Sequence, residues 1–279
     1  MSWRRSKLFG QQNYDPTVSG PQPIFNAPGL VLLAILVLIL AHLGLSLASP
    51  EVYEAAILNL AVIPLRYLSL LDPAQAAGVW AETPFADEPM PPPLTASDAP
   101  GLIAPLFGHM LVHGGLLHLG FNCIWLLIFG AANARRLQRG GDLWGGCLWI
   151  ALFALGGACG AITHIALHLE SFIPLVGASG GVSAMMGAAV RFALRRPSVF
   201  DEKYPPLMGL GSRPVVAFSA VWLFANVVFG LLPLTQLAEG ASIAWEAHIG
   251  GYVFGLLSIS LFDRLAGPLE RQGRLDQSW

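Results

Sequence analysis

Six long apolar stretches, at about 29–49, 115–133, 143–168, 177–195, 214–233 and 244–265, constrain this chain more than any other feature. At 1.5 Å per residue, each is long enough to cross a ~30 Å hydrocarbon layer as a helix. Only 11% of the residues are charged, against roughly 25% in a soluble domain. The predicted fold class is therefore all-α, a membrane protein built as a six-transmembrane-helix bundle. The lipid bilayer is its first partner, and nothing in the composition calls for nucleic acid.

The expected layout is a polar tail at 1–28, a membrane domain at 29–265 and a second tail at 266–279. Within the domain, 50–114 is a large first loop. Its half-apolar run "AAILNLAVIPLRYLSLL" is expected to lie partly in the membrane or against the bundle. The stretch "ADEPMPPPLTASDAP" (86–100) reads as a flexible acidic segment, because its prolines break regular structure. Fourteen of the fifteen Lys and Arg residues fall in the N-terminal tail, the C-terminal tail, or near the inner ends of spans two, four and six; only Arg66 lies on the other side. The positive-inside rule then predicts cytoplasmic termini and an external first loop. The first span ends in "LSLAS", but about 20 apolar residues exceed the 7–15 of a signal-peptide core, so it is read as retained. The short basic N-terminus suits a bacterial inner membrane. Cys123, Cys147 and Cys159 are odd in number and lie in apolar runs, so they are read as small packing residues.

Polar groups inside membrane spans are costly and are functional candidates by default. The second span opens on "HMLVHGGLLHLGFN", with His109, His113, His118 and Asn122. His118 and Asn122 are four apart and share a helix face. Ser179 starts the fourth span within "VGASGGVSAMMG", and His248 lies about one turn inside the sixth. Spans two, four and six all run inward, so these groups converge at roughly 5–12 Å below the external surface. A neutral imidazole can take the proton of a serine hydroxyl and make it a nucleophile, a role that Ser179 and His248 could share. Backbone N–H groups at the start of span four, with the side chains of His118 and Asn122, could hold an oxyanion. Gly180 with Ala184 and Ala188, and Gly251 with Gly255, form small-residue stripes that would let spans four and six approach closely.

The remaining polar residues have plainer readings. Glu246 is expected to cap span six, because residues two apart on a helix do not face each other. His109 and His113 are expected to be hydrogen-bonded structural residues, and a metal site in that run is not expected. His42, His164 and His168 read as interfacial or packing residues, and Asn226 as an interhelical hydrogen bond.

The pattern resembles the rhomboid family of intramembrane serine proteases. The resemblance lies in Gly177-Ala178-Ser179-Gly180 on span four, His248 with Gly251 and Gly255 on span six, and His118 with Asn122 on span two, over about residues 104–265. It implies a Ser179–His248 dyad without an essential acid, with Asn122, His118 and the Ser179 N–H as the oxyanion hole. It also implies no metal and no cofactor, and transmembrane protein substrates cut in or near their membrane segments. The chain departs from the common family pattern at Ala104-Pro105, where Trp-Arg is frequent, and at Ser183, where an aromatic residue often stacks on the histidine. A non-catalytic rhomboid-like protein that binds membrane clients is the alternative reading. A channel or transporter is more distant, for want of discontinuous inverted repeats.

Overall fold

The computed structural model describes residues 27–91, 99–139, 143–195, 204–231 and 244–267. Both predicted tails lie almost wholly outside the described residues. The chain is all-α, and among the described residues the sole strand-like pairing is an isolated antiparallel bridge between Val62 and Leu175. The first helix, α1 (Gly29–Ser46), is apolar all round. Leu32, Leu33, Leu36, Val37 and Leu40 stay about half exposed on it, as suits a helix whose outer face meets lipid.

The first loop is more regular than the sequence suggested. It folds into α2 (Pro50–Leu60), α3 (Pro64–Leu71), α4 (Pro73–Ala81) and α5 (Ala99–Gly108). α2, α3 and α4 each open on proline, whose fixed φ suits the first helical turn and whose missing N–H would be unpaired there anyway. α5 begins at Ala99, inside the 86–100 stretch expected to be irregular; residues 92–98 lie outside the described residues. Arg66, 1% exposed, holds these helices together by donating to the Leu58 carbonyl of α2 and, at 3.2 Å, to the Gly101 carbonyl of α5. The one basic residue of the first loop is thus a buried clamp.

The second span is α6 (Leu116–Trp125), a π-helical turn over Leu126–Gly130, and α7 (Ala131–Leu137), in one continuous rod. The third is α8 (Leu143–Leu167) and the fifth α10 (Arg213–Leu231). Among the described residues, these three and α1 are the helices long and apolar enough to cross a membrane. The fourth and sixth expected spans form as α9 (Ser179–Ala193) and α11 (Trp245–Leu265), but fall outside that class. α11 is diluted by its glycines and by Glu246, His248, Asp263 and Arg264. α9 has only 15 residues, about 22 Å, against a ~30 Å core. Every side chain from Gly180 to Arg191 is buried, because α8 and α11 pack along it. A helix wrapped in protein need not match the lipid thickness.

Close helix approach depends on particular glycines. A Cβ on Gly251 would collide with the Gly180 carbonyl, and one on Gly255 with the Ala184 carbonyl. Gly180 itself, expected to be equally critical, has room. Its Cβ would sit 3.4 Å from the Gly157 Cα, an ordinary contact; what α11 packs on is the Gly180 carbonyl. The loop between α8 and α9 drops back into the bundle. It is stitched by the Leu175 N–H to the Val62 carbonyl (2.7 Å), the Leu65 N–H to the Ser171 carbonyl (2.9 Å) and the Gly177 N–H to the His109 carbonyl (2.8 Å).

At the opposite end the arginines are more than charge markers. Arg136, 2% exposed, forms a two-pronged pair with Asp263 of α11 (2.9 and 3.1 Å) and donates to the Pro205 carbonyl. Arg139 reaches the same carboxylate, and Arg191 donates to the carbonyls of Met208 and Leu256. Burying a charge is tolerable only when it is paired and hydrogen-bonded, and here each buried arginine has several acceptors. Cys147 is exposed on α8 rather than packed, and the three cysteines are free.

Candidate active site

Ser179 is the first helical residue of α9, preceded by Ala178 at the N-cap. Its own N–H therefore belongs to the group that has no partner within the helix. His248 is the fourth residue of α11. The two meet: Ser179 Oγ lies 2.8 Å from His248 Nε2. The other imidazole nitrogen, Nδ1, lies 2.9 Å from Asn226 Oδ1 on α10.

The surrounding bonds fix the proton. Asn226 Nδ2 donates to the Trp222 carbonyl at 3.0 Å, which can only accept. Its Oδ1 is thus the atom facing His248, and His248 Nδ1 must carry the hydrogen. That leaves the Nε2 lone pair for the Ser179 hydroxyl. Asn226 was expected to make an interhelical hydrogen bond. It does, but its partner is the histidine, which no spacing in the sequence reveals. It also supplies the restraint that an aromatic residue at Ser183 would give; Ser183 is buried and small.

His118 sits against the turn before the serine. Gly177 has φ +111°, a conformation that favours glycine, and a Cβ there would lie 2.5 Å from His118 Nε2. The Gly114 N–H approaches His118 Nδ1 at 3.4 Å. Asn122, 4% exposed, donates from Nδ2 to the His118 carbonyl at 3.0 Å. An amide nitrogen has two hydrogens, so one remains. His109 is hydrogen-bonded as expected, with Nδ1 2.9 Å from the Pro105 carbonyl. His113 is not. It is buried with neither ring nitrogen hydrogen-bonded, and lies edge-on to His118 and His42 at 5.2 and 6.5 Å between ring centres.

Glu246 does not simply cap α11. Its carboxylate turns to α8, 2.6 Å from His164 Nδ1 and 3.0 Å from His168 Nε2. The two ring nitrogens of His248 face Asn226 and Ser179 rather than Glu246, as the two-residue spacing requires. The pairing of His164 and His168 with it differs from their expected interfacial or packing role, and depends on α8 and α11 lying side by side.

A serine hydroxyl on an imidazole, under an N–H-rich helix start, is an arrangement suited to acyl transfer. Residues 101–264 match the family model described as the Rhomboid domain. The chain belongs to this family. The rhomboid match starts in α5 and ends in α11, so α1 to α4 precede it. The chain is 31% identical over 149 residues to the rhomboid protease GlpG of Serratia proteamaculans, covering 53% of this chain and 44% of the relative. It is 28% identical over 151 residues to the protein of that name from Pectobacterium atrosepticum (54% and 45%), and 30% over 149 residues to that from Yersinia enterocolitica (53% and 44%). The chain thus spans under half the length of these curated relatives. With its apolar helices, the rhomboid match makes this a multi-pass membrane protein.

Proposed function

We propose that the chain is an intramembrane serine endopeptidase that hydrolyses peptide bonds in or near transmembrane segments of other membrane proteins. The observation that carries this is the 2.8 Å approach of Ser179 Oγ to His248 Nε2, at the start of a short helix enclosed by the bundle. The family and the names of the relatives support it.

In this reading Ser179 Oγ attacks the scissile carbonyl carbon while His248 Nε2 takes the hydroxyl proton. The carbonyl oxygen becomes an oxyanion, stabilised by the Ser179 N–H, the second Asn122 N–H and His118. Collapse breaks the C–N bond, and His248 returns the proton to the leaving amine. Water, activated by the same nitrogen, then hydrolyses the acyl-serine ester and restores the hydroxyl. Asn226 is a positioning residue: it holds the Nδ1–H tautomer throughout. Gly180, Gly251 and Gly255 act through helix packing, and no metal or cofactor takes part in these steps. The termini face the cytoplasm, in the inner membrane of a bacterium, and the serine end of the bundle faces outward. A fluorophosphonate probe tests the nucleophile directly: wild type is labelled and Ser179→Ala is not. Equal labelling of both would remove Ser179 from this role.

A further inference from the structure

Outside the serine–histidine pair, one cluster of ligand-type side chains has no part in the proposed chemistry. His164 lies in the last turn of α8, and His168 directly follows the helix, its N–H donating to the His164 carbonyl at 3.0 Å. Glu246 reaches them from the first turn of α11. The ligand atoms of all three lie within 4.8 Å of one another. Their side chains are 12%, 45% and 4% exposed respectively, so the cluster is closed on the protein side and open at His168.

We infer that His164, His168 and Glu246 form a binding site for a zinc-class divalent cation that links the ends of α8 and α11. The donor set argues for the class of ion. Two imidazoles and one carboxylate suit Zn²⁺ and its neighbours, whereas Mg²⁺ and Ca²⁺ want oxygen ligands throughout and Cu⁺ wants sulfur. Three protein ligands with one open side leave a fourth position for water. Tetrahedral bonding at ~2.0–2.1 Å places donor atoms about 3.3 Å apart, so small side-chain rotations suffice. Each neutral imidazole moves its N–H to the other ring nitrogen and presents a lone pair to the ion, so no proton need leave. Charge argues the same way. Among the described residues, the ion-pair partners of the buried Glu246 carboxylate are these two histidines, and a dication would neutralise it. The His109–His113–His118 run, by contrast, brings no carboxylate.

The full chain in detergent tests this without reference to cleavage. Zn²⁺ binding is read by competition with a chromophoric chelator, and Co²⁺ by its visible spectrum. The expected result is one equivalent per chain, a tetrahedral Co²⁺ spectrum, and a rise in Tm on adding Zn²⁺. His168→Ala alters the most exposed ligand; it should keep the metal-free Tm yet weaken binding by at least ~10²-fold and abolish the Tm rise. Glu246→Gln should weaken binding similarly, whereas Ser179→Ala and His113→Ala should bind as wild type does. Absence of stoichiometric binding, binding unchanged by His168→Ala and Glu246→Gln, or binding lost in His113→Ala would each overturn the assignment.

Discussion

Asn226 decides where the proton of His248 sits, because its own amide is turned by the Trp222 carbonyl. Asn226→Ala should therefore lower kcat about tenfold, the worth of one hydrogen bond of about 1.4 kcal/mol, with KM and Tm little changed. Asn226→Asp, which still accepts from Nδ1–H, should recover most of the loss. A fall in Tm that tracks the fall in activity would make Asn226 merely structural. Asn122→Ala should cost more, roughly 10²–10³-fold, as expected for one oxyanion donor among several. Wild-type rates in that variant would return Asn122 to its helix-internal bond with His118. The serine, histidine and glycine motifs were legible because each is local. Asn226, Glu246 and the histidines at the end of α8 were not, since their roles exist only once α8, α10 and α11 are placed together.

α9 shows what a hydropathy pattern misses at the scale of an element. The apolar run marked a helix near 177–195, yet the helix begins at Ser179 and ends at Ala193. Its shortness is tolerated because α8 and α11 enclose it, which no single-helix pattern reports. The first loop was read only as a half-apolar segment, whereas its prolines at 50, 64 and 73 act as helix starts. The glycine contacts allow a graded test. Gly255→Leu should destabilise the protein by about 1–3 kcal/mol or more, because α11 must move off the Ala184 carbonyl. Gly180→Ala should cost under about 1 kcal/mol, since its Cβ has room. Thermal unfolding in detergent compares them, and equal losses would contradict the packing described. α10 is the loosest span: Val215 is its one buried residue among those described. It is held to α11 by Asn226, the Ser219–Tyr252 hydroxyl pair (2.7 Å) and the Trp222–Tyr252 stack. We predict that α10 swings to admit substrate. An engineered disulfide from α10 to α6 should lower cleavage, reversibly on reduction, and full activity in the cross-linked form would exclude that movement.

For the whole molecule, the two ends of the bundle do different work. One end carries the arginine–aspartate lock of Arg136, Arg139 and Asp263, and the other carries Ser179, His248, His118 and Asn122. In the topology proposed above, the lock faces the cytoplasm. A cysteine introduced at position 93 should then be labelled by an impermeant reagent from the side opposite the termini. Labelling from the same side would invert the topology. In the function proposed above, this bundle cuts membrane-embedded peptides with Ser179 as nucleophile and His248 as its base. The most direct measurement is cleavage of a model transmembrane substrate in proteoliposomes by wild type, Ser179→Ala, His248→Ala and the double variant, each checked for folding by Tm. Cleavage is expected from wild type alone, with the double variant no worse than either single one, because residues that act as a unit are not additive. Cleavage by folded Ser179→Ala at the wild-type rate would contradict it.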